Sequence, residues 1–239
     1  MQALILAGGK GSRLLPYTKI IPKPLMPIGE MPILEIILRQ LKYSGFDSVI
    51  LAVNYMSQMF ELFFQKGEKI GITIEYSYES KPLGTAGPIA NAFNLLEDDF
   101  LVMNGDILTS LDYRVFYEEH ISSKVSASIA TSERKVEIDY GVIHSDKDKN
   151  LIQYEEKPNL EYMVSMGINV LKKNKISKYL KKNVYLDIPD LMKMIQKDDP
   201  YSVKCLPQNC EWLDMGRIDD YSSAVEKFEK NRSSYLKDL

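Results

Sequence analysis

A short stretch near the start of the chain concentrates groups that bind phosphate. Residues 4–29, LILAGGKGSRLLPYTKIIPKPLMPIG, contain four cations and no acidic residue. Backbone N–H groups in a Gly-Gly-Lys-Gly cluster such as residues 8–11 can surround phosphate oxygens. The Arg13 guanidinium can bind such oxygens as a fork, and Lys23 stands between two prolines that stiffen its backbone. The stretch therefore predicts a cradle for a triphosphate.

The glycine cluster does not match two familiar phosphate-binding motifs. The dinucleotide fingerprint G-x-G-x-x-G needs a third glycine where Leu14 stands, and its ribose-binding acid is missing after the second strand, where Asn54 stands. The P-loop needs Ser or Thr after its lysine, whereas Lys10 is followed by Gly11. Four prolines between positions 16 and 27 predict that the chain after the loop is extended rather than helical.

Two aspartates are candidate metal ligands. Asp106 follows the apolar run 100–103 in an Asn-Gly-Asp sequence, which is also typical of a hairpin turn. The next patterned segment, 112–120, favours a helix, so we predict Asp106 at the carboxyl end of a central strand, facing the glycine loop. Its oxygens would there suit Mg²⁺ bridging phosphates. Asp214 is either a helix-capping residue or a second acid.

Hydrophobic patterning predicts the elements that must position these residues. Strands and helices alternate through the first half, which predicts βαβ crossovers with ligands at the carboxyl edge of the sheet. We expect an α/β, Rossmann-like, mostly parallel mixed sheet with helices on both faces, in a single domain, 1–239. The predicted strands are 3–7, 49–53, 72–76, 100–103, 125–131, 141–144, 151–154, 164–171 and 203–206. The predicted helices are 32–43, 56–64, 85–96, 112–120, 176–180, 189–195 and 218–230, followed by a solvated tail, 231–239.

Composition excludes several classes of protein. The 239 residues carry a net charge of −3, which argues against a nucleic-acid binder. No apolar run reaches the length of a membrane span, and the N-terminus shows no targeting signal. The two cysteines, Cys205 and Cys210, have no histidine nearby and make no zinc site. We expect a cytoplasmic protein with reduced cysteines.

The motifs taken together resemble the sugar-phosphate nucleotidyltransferases, which join a nucleoside triphosphate to a sugar 1-phosphate. The resemblance covers nearly the whole chain, and within the family 50–59 and 82–90 look most like the mannose-1-phosphate guanylyltransferases. Ser12 stands where threonine is usual. Many relatives continue into a left-handed β-helix, so we expect a short form without one. The matching segments are LAGGKGSRL, PKPL, PILE, KPLGTAGPI, VMNGDIL, YGV, YEEKPN, SMGINVL and WLDMGRIDDY.

The resemblance implies a role for each matching residue. It divides the chain into a nucleotide-binding half, about 1–110, and a sugar-phosphate-binding half, about 111–230. Arg13 and Lys23 would be catalytic, and Asp106 and Asp214 would bind Mg²⁺. The nucleotide-binding residues would be Leu6, Ala7, Gly8, Gly9, Gly11, Ser12, Pro82, Gly84 and Thr85. The sugar-phosphate-binding residues would be Gly141, Glu156, Lys157 and Asn169.

Plainer interpretations stay open for some of these residues. The loop around Gly84 and Thr85 could be a helix cap, and Glu156 with Lys157 could be a solvated surface pair. Asn169 is polar within an apolar strand, where burial requires a partner. The two histidines, 120 and 144, lie in no motif and receive no chemistry.

The expected reaction is a single in-line displacement at the α-phosphorus. GTP and mannose 1-phosphate are the expected substrates by resemblance, giving GDP-mannose and pyrophosphate. The alternatives are another triphosphate (dTTP, UTP or CTP) or another sugar phosphate (glucose or heptose). A non-catalytic regulatory subunit that binds nucleotide sugars is a further alternative. No nucleic acid or membrane partner is expected, and a homo-oligomer stays open.

Overall fold

The structure, a computed structural model, describes residues 1–216 and 218–236, without the side chain of Asp219. Strands and helices alternate through the first half of the chain, as the hydrophobic patterning predicts. The strands are β1 (Gln2–Leu6), β2 (Pro27–Ile28), β3 (Met31–Pro32), β4 (Ser48–Val53), β5 (Thr73–Tyr78), β6 (Asp99–Asn104), β7 (Ile107–Thr109), β8 (Ala127–Glu137), β9 (Val142–Ser145), β10 (Leu151–Glu155), β11 (Asn159–Lys172), β12 (Val203–Pro207) and β13 (Trp212–Asp214).

Helices follow most of the predicted segments. The Asp112 side chain caps the longest helix of the middle region by accepting the Val115 N–H at 3.1 Å. Within the described ranges, no helix is long and apolar enough to cross a membrane. The α-helices are α1 (Ile33–Tyr43), α2 (Ser57–Phe64), α3 (Gly87–Ala92), α4 (Tyr113–Ser123), α5 (Lys173–Ile176), α6 (Ile188–Asp198), α7 (Ile218–Lys230) and α8 (Arg232–Tyr235).

One seven-stranded sheet, in the order β12-β8-β11-β6-β1-β4-β5, joins both halves of the chain. β1 is parallel to β4 and β6, β4 to β5, and β12 to β8, while β11 is antiparallel to both of its neighbours. The predicted mostly parallel mixed sheet is confirmed. Because β1, β4, β5 and β6 run in one direction, the residues that follow them meet at one edge: Ala7, Asn54, Glu79 and Gly105.

Each face of the sheet has its own apolar core. Ala3 and Ile5 of β1 pack on one face with residues of α1, α2, α4 and α7, whereas Leu4 packs on the other with α3 and α6. A continuous apolar run such as β1 is typical of a strand buried on both faces. The predicted helices on both faces of the sheet are therefore observed.

The proline-rich segment after the glycine loop differs from its prediction. It is not extended but forms three short 3₁₀ turns at Ser12–Leu14, Tyr17–Lys19 and Lys23–Leu25. Proline is accepted at the start of such turns, because the first residues need no N–H donor there. The turns fold the chain back beneath the glycine loop, so that a Cβ added at Gly11 would lie 3.2 Å from the Lys23 Cβ.

The prediction of a solvated tail, 231–239, agrees with the exposed residues 231–234 and is wrong for the two residues that follow them. α8 lies there, and Tyr235 and Leu236 are only 2% and 5% exposed. The Tyr235 ring packs on Phe228, with 5.8 Å between centroids. Two apolar residues after a polar stretch are too short a pattern to predict burial. Residues 237–239 lie outside the described part of the chain.

β8 and β11 are longer than predicted, and their outer halves extend away from the rest of the sheet. Their outermost paired residues are Glu137 and Asn159, and the pairing continues from there toward the main sheet. The separate hairpin of β9 and β10 lies between the two strands in sequence. We call residues 132–163 the projecting lobe. The lobe carries the YGV and YEEKPN motifs.

Candidate active site

A cavity of about 220 Å³ opens where β1 and β6 end. Eight of the predicted site residues line it together, from the glycine loop, the turns after it and the segment after β6. The remaining lining comes from Pro24 and Gly216, which the sequence did not single out. The predicted residues at this cavity are Leu6, Ala7, Gly9, Gly11, Ser12, Arg13, Lys23 and Asp106.

The glycine loop is shaped to leave one side of its backbone open. Gly11 has a φ of +60°, and a Cβ there would lie 2.8 Å from the Thr18 Cγ2, so this position requires glycine. The Thr18 hydroxyl holds the loop by donating to the Gly11 carbonyl at 2.8 Å. A Cβ at Gly9 would meet no described atom within 4 Å. The Gly9 backbone can therefore approach a ligand closely.

Lys23 is the central charge of the site. It is 7% exposed, and its Nζ contacts the Asp106 carboxylate and lies 3.8 Å from the Asp214 Oδ1. The two aspartates come from different halves of the chain. A buried ammonium requires such partners, because an unpaired charge is costly to bury.

Pairing of β7 with β13 brings the two aspartates together. Asp214 lies opposite Ile107 in that pairing, and Ile107 directly follows Asp106 in the sequence. The segment after the Asn-Gly-Asp turn was expected to contain no strand before the helix, and β7 corrects that expectation. β7 does not fold back on β6 as a hairpin would. The predicted place of Asp106, at the carboxyl end of β6 and facing the glycine loop, agrees with the structure.

The two carboxylates suit a hard divalent cation. Burial and the nearby Asp106 charge raise the pKa of Asp214, while Lys23 and Arg13 oppose this. Among the described residues there is no group of three or more His, Cys, Asp or Glu that could hold a metal. Magnesium commonly takes only one or two carboxylates and completes its shell with water and phosphate. Asp106 and Asp214 would therefore be the residues that hold it.

Arg13 stands between the cavity and a larger groove of about 910 Å³. A Cβ at Gly216 would lie 3.2 Å from an Arg13 Nη, so the guanidinium lies against that glycine. The groove also contacts Asp214 and continues between β13 and residues 132–134 of the projecting lobe. Arg13 is thus accessible from both spaces.

Glu79 and Asn54 were missed by the sequence analysis, and both lie beside the glycine loop. A Cβ at Gly8 would be 3.2 Å from the Asn54 Cβ and 3.3 Å from the Glu79 Oε1. Burial raises the pKa of Glu79 to about 7, although a hydrogen bond from the Leu83 N–H opposes the shift. The Asn54 Nδ2 is buried and has no hydrogen-bond partner in the described part of the chain. The one available signal was their position after parallel strands, at the ligand-binding edge.

The loop that follows Glu79 does not line the cavity. Pro82, Gly84 and Thr85 of this loop were predicted to bind nucleotide. The Thr85 hydroxyl instead contacts the Asp187 Oδ1 at 3.2 Å and accepts the Ile188 N–H at 2.8 Å. The side chain of Thr85 is therefore engaged within the protein.

The predicted sugar-phosphate residues fall into two groups. Asn169 lies in β11, is 3% exposed, and its Oδ1 has no partner among the described residues. A buried acceptor of this kind is costly unless a ligand or water bonds to it. Gly141, Glu156 and Lys157 lie in the projecting lobe and do not line the cavities described here. Gly141 packs against the Tyr154 hydroxyl so closely that a Cβ would collide with it.

The buried histidine lies away from this site. The His120 Nδ1 is 2.8 Å from the Ser128 Oγ, and its Nε2 is 3.4 Å from the Asp99 Oδ1. Asp99 begins β6, so the cluster lies at the opposite edge of the sheet. His120 is 1% exposed, which leaves this Ser-His-Asp arrangement without access to a substrate.

Known proteins resemble this chain in sequence and in fold. The nucleotidyl transferase family matches residues 2–231. UTP–glucose-1-phosphate uridylyltransferase from Synechocystis sp. is 32% identical over 244 residues, which cover 94% of this chain but 62% of that protein. Mannose-1-phosphate guanylyltransferase from Mycobacterium tuberculosis is 29% identical over 92% of this chain and 62% of its own length. The chain thus spans less than two thirds of these two relatives.

Two further comparisons involve proteins closer to this one in length. D-glycero-α-D-manno-heptose 1-phosphate guanylyltransferase from Aneurinibacillus thermoaerophilus is 39% identical over 159 residues, covering 66% of this chain and 68% of that protein. The crystal structure of HddC from Yersinia pseudotuberculosis complexed with GMP-PN aligns with a TM-score of 0.71 at 27% identity, over 95% of this chain and 99% of that chain. Family match, identity and fold agree with the motifs at the cavity, and the chain belongs to the nucleotidyl transferase family.

Proposed function

We propose that this protein transfers a nucleotidyl group from a nucleoside triphosphate to a sugar 1-phosphate. The observation that carries the proposal is the position of Lys23. Its buried ammonium lies between Asp106 and Asp214, beneath a glycine loop whose Gly9 backbone is open. Lys23 and Arg13 could contact phosphate oxygens there, and a divalent cation on the two aspartates would offset the remaining negative charge.

The residues of the cradle suit a displacement between two anions. An oxygen of the sugar 1-phosphate bonds to the α-phosphorus, the bond from that phosphorus to the bridging oxygen breaks, and pyrophosphate leaves. The attacking phosphate has a second pKa of about 6, so it is mostly a dianion at neutral pH and needs no general base. Arg13 and Lys23 would offset the repulsion and align the phosphates. Mg²⁺, when bound, would supply Lewis-acid neutralisation of phosphate charge.

GTP is the triphosphate that the base side of the site supports best. The Watson–Crick edge of guanine offers two adjacent N–H donors, and the Glu79 carboxylate beside Gly8 is an acceptor-only group when it is ionised. Uracil and thymine place carbonyl oxygens on either side of a single N–H, and these would face the same negative charge. The Asn54 Nδ2, which has no hydrogen-bond partner among the described residues, could donate to an acceptor on the base or the ribose. The names of several relatives, which are guanylyltransferases, support the same choice.

Mannose 1-phosphate is the proposed acceptor, with a manno-heptose 1-phosphate as the second candidate. The guanylyltransferase relatives are named for these two sugars, which share the manno configuration. The heptose enzyme from A. thermoaerophilus is 39% identical over 66% of this chain. The two acceptors differ only beyond C5 of the ring. Glucose 1-phosphate with UTP is the combination suggested by the uridylyltransferase relative.

The proposal is tested by pyrophosphate release with Mg²⁺, using five triphosphates, each paired with mannose, glucose and manno-heptose 1-phosphates. We expect turnover with GTP and a manno-configured acceptor, and loss of turnover in Asp106→Asn. Turnover confined to UTP and glucose 1-phosphate would keep the chemistry and overturn the substrates. Absence of turnover with every pair, while nucleotide sugars still bind, would favour a regulatory subunit.

The affinity for GTP should increase between about pH 6 and pH 8. Burial raises the pKa of Glu79 to about 7, so the group is largely protonated below that pH and ionised above it. Only the ionised form accepts both guanine N–H groups without competition from its own proton. Equilibrium binding of GTP across this range measures the effect. In Glu79→Gln the dependence should flatten, whereas the titration of the nucleotide phosphates affects both proteins equally.

A further inference from the structure

The Gly-Thr-Ala-Gly loop of the nucleotide half is joined to a segment from the other half of the chain. The Leu186 N–H donates to the Leu83 carbonyl at 3.0 Å. The Leu186 carbonyl in turn accepts the N–H groups of Ala86 at 2.8 Å and Gly87 at 3.0 Å. About one hundred residues of sequence separate the two segments. We call residues 83–87 the nucleotide loop and residues 184–188 the docking segment.

Side chains complete this junction by exchanging hydrogen bonds. The Asp187 Oδ1 accepts the Thr85 N–H at 3.0 Å, and the Thr85 hydroxyl accepts the Ile188 N–H at 2.8 Å. Asp187 stands at the N-cap position of α6, yet its carboxylate makes no capping bond to its own helix. Each segment thus satisfies a backbone donor of the other. The Tyr185 hydroxyl donates to the second Asp187 oxygen at 2.7 Å and fixes the carboxylate.

Both glycines of the loop are required by this contact. A Cβ at Gly84 would lie 2.5 Å from the Leu186 carbonyl oxygen and 2.7 Å from the Asp187 Oδ1, and the Gly84 φ is +77°. A Cβ at Gly87 would lie 2.8 Å from the Val184 carbonyl oxygen. The glycines that the sequence analysis linked to nucleotide binding therefore admit the docking segment.

The loop is also connected to the candidate base-reading residue. Leu83 follows Glu79 by four residues, and its backbone N–H lies near enough to the Glu79 carboxylate to oppose the rise in the pKa of that group, while the Leu83 carbonyl is held by the docking segment. Leu83 is buried, so its peptide has little freedom to move independently. Displacement of the docking segment would therefore shift a direct partner of Glu79.

We infer that Asp187 is a positioning residue for nucleotide selection, acting through Thr85 and Leu83 on Glu79. The inference rests on the proposed function and extends it, since it gives the sugar-phosphate half of the chain a part in choosing the nucleotide. Asp187 is not among the described residues that line the cavity and would not touch the phosphates. Its loss should weaken binding and selectivity without removing the catalytic charges.

The test compares Asp187→Ala and Asp187→Asn with the unaltered protein. Losing a hydrogen bond to a charged group should raise the dissociation constant for GTP about tenfold in Asp187→Ala. The preference for GTP over UTP should fall, and kcat at saturating GTP should change far less than KM. Asp187→Asn keeps an oxygen that accepts the Thr85 N–H and should recover most of the affinity. Asp190→Ala is the matched control, because among the described residues that carboxylate of α6 pairs only with the exposed Lys193, at 3.0 Å.

Direct binding and amide hydrogen exchange separate this inference from the proposed function. Asp187→Ala should increase exchange at Ala86 and Gly87, and thermal unfolding should confirm that the variant folds. If a folded Asp187→Ala variant binds GTP and UTP with the same affinities as the unaltered protein does, the inference is overturned even if turnover occurs. The predicted loss of affinity would support it even if no sugar phosphate reacts. An unaltered protein that binds neither nucleotide would contradict both proposals.

Discussion

Lys23→Met should lower kcat for pyrophosphate release by about two orders of magnitude or more, because it removes a positioned positive charge from the phosphate cradle. The ammonium contacts Asp106 and lies 3.8 Å from Asp214, so its loss also leaves two carboxylates facing each other. Steady-state rates with saturating GTP and mannose 1-phosphate would measure the effect. Single-turnover rates would show whether the transfer step itself has slowed.

Lys19→Met is the matched control for this prediction. Lys19 belongs to the same run of 3₁₀ turns and carries the same charge, but it is exposed and does not line the cavity. Its replacement should leave kcat within about twofold, as is usual for an isolated surface charge. Thermal unfolding of both variants separates loss of catalysis from loss of fold. A folded Lys23→Met protein with more than about a third of the original kcat would show that Lys23 does not act on the phosphates.

Glu79→Gln should change which nucleotide is preferred. The amide offers one acceptor and one donor, which pair poorly with the two adjacent guanine donors but well with the N–H and carbonyl of uracil. We expect kcat/KM for GTP to fall about 10- to 100-fold, since hydrogen bonds to charged groups contribute about 1.5–3 kcal/mol. The value for UTP should rise relative to GTP. The two ratios of kcat/KM, measured with one acceptor sugar, are the decisive quantities.

Glu75→Gln supplies the control for the nucleotide preference. Glu75 lies on β5, four residues before Glu79, and is exposed. The same change of carboxylate to amide there should leave the GTP to UTP ratio unaltered. If Glu79→Gln also leaves that ratio unaltered, the carboxylate beside Gly8 does not read the base, and the preference for GTP must arise elsewhere.

Local sequence patterns predicted the parts of the site that depend on a single strand end. The apolar run of β1 followed by Gly9 and Gly11, and the run of β6 followed by Asp106, each combine a buried strand with a polar terminus. Parallel strands place their carboxyl ends at one edge, so these two segments had to meet. The same reasoning was available for Glu79, but the strand before it is half exposed and its polar end resembled an ordinary loop.

Other features depend on pairings that no local pattern records. Asp214 reaches Asp106 only through the pairing of β7 with β13, and β7 has three residues. Lys23 reaches both aspartates because consecutive 3₁₀ turns reverse the chain, although its prolines suggested an extended segment. Asp187 and Thr85 exchange hydrogen bonds across a separation of 102 residues. None of these three contacts leaves a hydrophobic period in the sequence.

The sequence by itself therefore determined the α/β class, the sheet edge at which the cavity opens and most of the residues that line it, because hydrophobic period and glycine placement act over a few residues. Only the tertiary structure decided that Lys23 lies between the two aspartates, that Glu79 faces Gly8, and that the nucleotide loop packs against the docking segment. Those arrangements depend on strand register and on a few hydrogen bonds between distant segments. Such interactions are specified by the packing of the whole chain and not by any stretch of it.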